Sequence, residues 1–121
     1  IVIPEKGAAQ INSDAVKTSA GALNHLPICR VKNLYYTVKD LKKMGLNVIS
    51  VSEKTDRLMY GADFSIPTAL ILGSEEDGIS PELIGLSDEF VKIPMSGNIG
   101  SLNVSVSAGV VIYEAIRQRS K

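Results

Sequence analysis

The fold is decided by LILGSEEDGIS at residues 70–80 and by IPMSGNIGSLNVSVSAGVVIYEAIRQR at residues 93–119. Each stretch leaves an apolar run typical of a buried strand and enters a loop rich in glycine and small polar residues. The second loop passes straight into a long segment with apolar residues at helical spacing. Such loops expose many backbone N–H and C=O groups, which suits the binding of a small polar ligand, although a plain connection has the same composition.

Outward from these stretches, the chain alternates predicted strands with predicted helices. The strands are expected at residues 1–3, 27–31, 47–51, 68–72 and 90–93, and the helices at residues 12–19, 36–44, 81–86 and 103–119. Residues 53–65 are predicted to form a loop with a short helical turn. The alternation predicts an α/β fold with a largely parallel sheet flanked by helices. Because ligands gather at the carboxyl ends of such strands, the loops at 73–80 and 94–101 are expected at one edge.

Composition and charge limit the function without assigning it. With 121 residues, 45% of them apolar and 21% charged, the chain is expected to fold as a single globular domain. Thirteen basic and thirteen acidic side chains cancel, so any nucleic-acid surface has to be local. The candidates are the basic run of Arg117, Arg119 and Lys121 and the lysine cluster at 39–43, which also fits a solvated helix face.

The single cysteine, Cys29, excludes an intramolecular disulfide and a cysteine zinc site. No apolar run approaches the roughly 20 residues of a transmembrane helix, and no signal peptide is visible, which favours a cytoplasmic protein. The chain begins with the apolar run from Ile1 to Ile3 and has no initiator methionine. We therefore expect that the N-terminal part of the natural protein is absent.

Three adjacent acids, Glu75, Glu76 and Asp77, stand between glycines after the fourth predicted strand. Paired carboxylates serve in acid–base catalysis or bind Mg²⁺ or Ca²⁺, but acids in a turn are also commonly just solvated. The spacing fits neither an EF-hand, nor a phosphate loop, which needs a lysine, nor a dinucleotide fingerprint. No metal site is therefore predicted.

Ser101 and Asn103 stand at the start of the last predicted helix, where the simplest role is helix capping. A serine hydrolase is not indicated, because the only histidine, His25, lies in a different loop. The small residues from Ser105 to Gly109 allow another backbone to approach closely, which fits either packing on the sheet or a twofold dimer contact.

The two decisive stretches resemble motifs 2 and 3 of the SpoU (TrmH-type) branch of the SPOUT RNA methyltransferases. KTSAGALNHLPICRVKNL at residues 17–34 resembles the middle of that family, and the likeness runs from Ile1 to Arg119. It implies transfer of a methyl group from S-adenosyl-L-methionine to a ribose 2′-OH, with a guanosine of 23S ribosomal RNA favoured over transfer RNA. It also implies a deep C-terminal trefoil knot in the parallel α/β sheet, and a homodimer with the cofactor site at the knot.

The resemblance assigns residues to the site as well. Glu75 matches the glutamate of motif 2, and Ser101 and Asn103 match the polar pair of motif 3 near the reacting ribose. These three are therefore the expected catalytic residues. The cofactor is expected to lie against Leu72, Gly73, Ile93, Met95, Gly97, Ser101 and Leu102.

One part of the family pattern is not found in the sequence. Motif 1 carries an Asn and an Arg just upstream of a strand resembling residues 1–4, and that arginine is credited with helping to deprotonate the ribose hydroxyl. The chain is therefore expected to be a methyltransferase domain that lacks its first strand–helix unit and is poorly active. Two alternatives stay open: a non-catalytic RNA-binding protein with this fold, and an α/β module that binds another nucleotide.

Overall fold

The computed structural model describes residues 1–8, 11–74, 76–98, 100 and 102–120. Contacts between Cα atoms divide the chain into two compact units, Ile1–Thr37 and Val38–Lys121. The expectation of a single domain remains a prediction.

The first unit contains a pair of parallel strands and a short helix. Strand β1 (Val2–Pro4) pairs with β2 (Cys29–Val31), with Val2 opposite Cys29. Helix α1 (Ser13–Thr18) begins at Asn12, whose side chain accepts a hydrogen bond of 2.9 Å from the Ala15 N–H. This oxygen satisfies one of the backbone donors that the first helical turn leaves unpaired, so Asn12 caps α1.

The second unit is built on three parallel strands. Strand β3 (Asn47–Val51) lies at the centre, between β4 (Thr68–Leu72) and β5 (Glu89–Val91). Asn47 is paired with Thr68 on one side, and Ile49 is paired with Glu89 on the other. The predicted α/β class with parallel strands is therefore confirmed, and the predicted bounds of β3 and β4 match the structure.

Helices α2 (Leu34–Lys43), α3 (Pro81–Leu86) and α4 (Val104–Arg119) follow the predicted order, and a short 3-10 turn covers Met59–Gly61. Helix α2 ends at Lys43 and is followed by Gly45, which has a positive φ of 96°. The Gly45 N–H donates to the Lys42 carbonyl and the Leu46 N–H to the Leu41 carbonyl, the pattern of a glycine-terminated helix. Within the described ranges, no helix is long and apolar enough to cross a bilayer.

One face of the three-stranded sheet holds the main core. Ile49, Val91, Phe64 and Val111 are all fully buried there, the last of them contributed by α4. Because side chains alternate along a strand, Ser50 points to the opposite face, where its hydroxyl lies 2.5 Å from that of Ser87. Helix α4 is thus held on one face of the sheet, which fixes where the loop before it lies.

The start of β5 is held by charged and polar side chains. The Val48 N–H donates to Asp88 at 2.8 Å, and this hydrogen bond holds the pKa of the Asp88 carboxyl below its usual value. Lys42 lies 3.2 Å from the same carboxylate, and the Asn47 amide donates to Glu89 at 2.6 Å. These contacts fix the register of β5 on β3, and with it the place where the chain leaves the sheet.

Candidate functional site

An open cleft of about 810 Å³ lies at the carboxyl edge of the three-stranded sheet. Its walls come from the segments that follow β3, β4 and β5, with a contribution from the start of α4. The volume lies in the range of small-molecule sites. Parallel strands end together at one edge, so the prediction that the two decisive loops share this edge is confirmed.

The cleft combines apolar walls with a few charged groups. Its apolar side chains are Val51, Leu72, Ile79, Ile84, Phe90, Ile93, Met95, Leu102 and Val104. Its charged side chains are Glu53, Lys54, Glu76, Asp77 and Lys92. The lining therefore suits a ligand with a large apolar or aromatic part and a charged end.

The wall after β4 is a turn that folds back tightly on itself. The Gly78 N–H donates to the Ser74 carbonyl at 3.0 Å, and the Asp77 N–H donates to the Ser74 hydroxyl at 3.0 Å. A Cβ on Gly73 would lie 2.2 Å from the carbonyl carbon of Gly78 and 2.5 Å from the Ile79 nitrogen. Only glycine fits there, which leaves backbone rather than side chain facing the cleft.

The wall after β5 contains most of the predicted cofactor residues. Ile93, Met95 and Leu102 line the cleft, together with Gly100. Gly97 has a positive φ of 81°, as glycine allows, but it is not among the described residues that line the cleft. The predicted placement of Gly97 against the cofactor therefore remains a prediction.

Asn103 caps helix α4 with its side chain. Its side-chain oxygen accepts hydrogen bonds from the Ser105 N–H at 2.9 Å, from the Ser105 hydroxyl at 2.6 Å and from the Val106 N–H at 3.4 Å. The helix-capping role considered from the sequence is thus present. Because the cap fixes the start of α4, it also fixes the backbone of Leu102, which lines the cleft.

The structure brings five predicted site residues together in one cleft: Leu72, Gly73, Ile93, Met95 and Leu102. Glu75 and Ser101, predicted to be catalytic, lie outside the described residues. Within the described part of the chain, no group of three or more His, Cys, Asp or Glu side chains is placed to hold a metal ion.

Sequence reasoning missed one whole wall of the cleft. Residues 52–55 follow β3 and line the cleft, as do Ile79, Phe90, Lys92 and Ser107. The rule that ligands lie beyond the carboxyl ends of strands should have included the loop after β3, the central strand. Nothing local in the sequence marked Ser107, because its position depends on how α4 packs on the sheet.

The profile of the SpoU rRNA Methylase family matches residues 1–113 of this chain. A relative from Xanthomonas campestris, named 23S rRNA (guanosine-2'-O-)-methyltransferase RlmB, is 40% identical over 119 residues, which are 98% of this chain and 48% of that protein. The RlmB protein of Escherichia coli K12 is 34% identical over 120 residues, which are 99% of this chain and 49% of that protein. The chain thus spans about half the length of the curated relatives it matches.

Among solved structures, the chain is similar to the SpoU methyltransferase AviRb from Streptomyces viridochromogenes, crystallised with AdoMet. The TM-score is 0.85 at 32% sequence identity, over 98% of this chain and 49% of that one. This likeness covers both decisive stretches of the sequence.

Proposed function

Because the chain belongs to the SpoU rRNA Methylase family, we propose that it binds S-adenosyl-L-methionine and serves methyl transfer to a ribose 2′-OH of RNA. The observation that carries the proposal is the cleft at the carboxyl edge of the sheet. Leu72, Gly73, Ile93, Met95 and Leu102, which the family resemblance assigns to the cofactor, all line it.

The chemistry of the cleft fits this cofactor. Leu72, Ile93 and Leu102 supply apolar surface for an adenine ring, and backbone groups at Gly73 and Gly100 are open to the ligand's polar edge. Bound there, the cofactor supplies an electrophilic methyl group. The residues of this chain hold it and leave one side of the cleft open to the RNA.

The polar residues at the start of α4 are proposed to orient the ribose. A 2′-OH is a weak nucleophile, so its oxygen has to be positioned and its proton accepted during the transfer. We assign positioning of the hydroxyl to Ser101 and Asn103, and support of the loop to Glu75. The cap made by Asn103 supports this, because it fixes the backbone at the start of α4, where Asn103 stands.

A guanosine of 23S ribosomal RNA is the proposed target, because this is the substrate in the names of the relatives at 34–40% identity. A cytoplasmic location belongs to the same proposal, since ribosomal RNA is modified where ribosomes assemble. Transfer RNA is the second candidate. It is favoured by similarity to the Aquifex aeolicus TrmH/SpoU tRNA modifying enzyme, with a TM-score of 0.80 at 30% identity over 98% of this chain and 61% of that one.

The deep trefoil knot is also part of the proposal. Three loops that are distant in sequence line the same cleft. The segment after β5 is hydrogen-bonded to the segment that leads into the 3-10 turn. The Lys92 N–H donates to the Arg57 carbonyl at 2.8 Å, and the Met59 N–H donates to the Lys92 carbonyl at 2.9 Å. Such loop-to-loop bonding supports a chain that passes through one of its own loops before α4 begins.

A homodimer through α4 completes the proposal. Val106, Ile112, Tyr113 and Ile116 lie on this helix with exposed fractions of 46% to 73%. Val106, Tyr113 and Ile116 are spaced by seven and three residues, so they share one face of the helix. Exposed apolar side chains on one face of a helix support a protein contact, and a twofold axis would let the same face serve both subunits.

Calorimetric titration of the chain with S-adenosylhomocysteine, with ATP as the control ligand, tests the proposed function. Selective binding of S-adenosylhomocysteine is expected, because the apolar walls and the backbone groups are already placed. Binding of ATP in preference to S-adenosylhomocysteine would favour the alternative of a module for another nucleotide. A folded protein that binds neither would contradict a preformed cofactor site.

A further inference from the structure

The cleft contains a cation that no ion pair among the described residues accounts for. Lys92 lines the cleft and is half-buried, whereas Lys54, the other cleft lysine, is exposed. The Lys92 ammonium group has no hydrogen-bond or ion-pair partner among the described residues. A partly desolvated ammonium group gains free energy when a ligand brings an anionic oxygen to it.

Both backbone groups of Lys92, its N–H and its carbonyl, are hydrogen-bonded, although Lys92 lies one residue beyond β5. The Lys92 N–H donates to the Arg57 carbonyl, and the Lys92 carbonyl accepts from the Met59 N–H. Arg57 and Met59 flank Leu58, which forms an isolated β-bridge with Lys92. Side chains alternate here, because Val91 is fully buried in the core while Phe90 and Lys92 both line the cleft. The direction of the Lys92 side chain is therefore set by the fold.

The charges of the cleft are arranged on different walls. Lys92 belongs to the wall after β5, whereas Glu76 and Asp77 belong to the turn after β4. The apolar side chains lie on both of these walls and suit a nucleoside. A ligand with one nucleoside part and one zwitterionic amino-acid part would match the apolar side chains, the Lys92 cation and the carboxylates of Glu76 and Asp77 at once.

We propose that the Lys92 ammonium group binds the carboxylate of the cofactor's amino-acid end and so selects for cofactors that carry one. The inference rests on the proposed function, since it names a residue for the same cleft. An RNA phosphate is the less suitable partner, because a phosphate backbone meets exposed cations such as Lys54 before it can reach a half-buried one.

The test compares three ligands by calorimetry: S-adenosylhomocysteine, its decarboxylated analogue, and 5′-methylthioadenosine, which has no amino-acid end. The variant is Lys92→Met, which keeps the length and apolar stem of the side chain, and Lys92→Arg restores the cation. Lys43→Met is the matched control, because it removes the same charge from an exposed position of α2 that does not line the cleft.

Lys92→Met is expected to weaken binding of S-adenosylhomocysteine about tenfold or more, the usual effect of losing a charge-assisted hydrogen bond. Its affinity for the decarboxylated analogue and for 5′-methylthioadenosine should stay at the wild-type level. Lys92→Arg should recover most of the loss, and Lys43→Met should bind all three ligands like the wild type.

Two results would overturn the inference. Equal losses for all three ligands would show that Lys92 supports the wall without contacting the carboxylate. Unchanged affinity for S-adenosylhomocysteine, with a weaker salt dependence of binding to a labelled RNA hairpin, would assign the ammonium group to an RNA phosphate. Failure of the proposed function looks different, because the wild type would then bind neither S-adenosylhomocysteine nor 5′-methylthioadenosine.

Discussion

At the scale of single residues, Gly73 has less space for a side chain than any other glycine of the chain. The backbone of Gly78 and Ile79 comes so close that a Cβ at this position would overlap it, with 2.2 Å as the nearest distance. The obstructing atoms belong to backbone held by the Gly78-to-Ser74 hydrogen bond, so they cannot turn aside as a flexible side chain would. The absence of a side chain at Gly73 is therefore a condition for the shape of this wall.

Gly73→Ala is expected to lower the free energy of unfolding by about 2 kcal/mol and to weaken binding of S-adenosylhomocysteine, because the turn has to open to admit the methyl group. Gly85→Ala is the control, since a Cβ on Gly85 in α3 meets nothing within 4 Å. Alanine should keep or slightly raise the stability there. Urea unfolding of both variants measures the difference in stability. Equal unfolding midpoints for Gly73→Ala and Gly85→Ala would show that the turn admits the methyl group without loss of stability.

Asn103 has two candidate roles that substitution can separate. Asn103→Ala removes the acceptor of three hydrogen bonds and should cost about 1 kcal/mol of stability. Asn103→Asp keeps a capping oxygen and should stay close to wild-type stability. If Asn103 also orients the ribose, as we propose, Asn103→Asp will still lose methyl transfer. A variant with wild-type stability and wild-type transfer would leave Asn103 as a cap only.

At the scale of elements, the C-terminal part of α4 is joined to the segment from Ala62 to Ile66 by polar side chains. The Gln118 side chain accepts from the Phe64 N–H at 2.7 Å and donates to the Ala62 carbonyl at 2.9 Å. Arg119 donates to the carbonyls of Phe64 and Ile66 at 2.8 and 2.9 Å. A segment without regular strand or helix thereby finds partners for its backbone groups.

The buried carboxylate of Glu114 makes this junction sensitive to pH. The hydrogen bond from Arg117, at 2.6 Å, holds the pKa of Glu114 below its usual value, against the opposing effect of burial. The stabilisation is therefore complete above the pKa of an unfolded glutamate, near 4.5, and is lost as the pH falls through the lower folded value. The free energy of unfolding should decrease with falling pH in that range.

Glu114→Gln tests this, because glutamine keeps the shape but does not titrate. The variant should be less stable at pH 7 and should show a flatter decrease in stability below pH 4.5. Chemical unfolding of the wild type and the variant across a pH series measures how the free energy of unfolding of each changes with pH. Parallel curves for the wild type and the variant would mean that the acid sensitivity arises from other carboxylates, such as Asp88.

At the scale of the whole molecule, the exposed stripe on α4 should determine the oligomeric state. Sedimentation at tens of micromolar is expected to show a dimer. Tyr113→Arg should give a monomer, because a twofold interface would bring the two new charges together. Tyr36→Arg is the matched control, since Tyr36 is also exposed, at 63% against 73% for Tyr113, but stands on α2. A wild-type protein that is strictly monomeric would contradict the proposed interface.

Most of the fold could be predicted from local sequence signals. The bounds of β3, β4 and α3 match those expected, and the ends of α1, α2 and α4 are fixed by Asn12, Gly45 and Asn103, as their residue types suggest. Strand β1 covers Val2–Pro4 and not residues 1–3, β2 begins at Cys29 and not at residue 27, and α2 covers Leu34–Lys43 and not residues 36–44. Strand β5 ends at Val91 and not at residue 93. Its last predicted residues leave the ladder where Lys92 bonds to the segment around Leu58, a contact that no local pattern encodes.

The sequence by itself determined the order and type of the strands and α-helices, and it also determined that two glycine-rich loops lie at the carboxyl edge of a parallel sheet. Periodicity, caps and strand direction are properties of neighbouring residues, so they can be recognised one segment at a time. Only the tertiary structure decided that Gly73 touches Gly78 backbone, that the loop after β3 completes the cleft, and that Gln118 reaches Phe64. The loop after β3 and Gln118 contribute across long sequence separations, and even the short Gly73 turn depends on how the backbone folds back on itself. Such distances are set by the packing of the whole sheet and its helices.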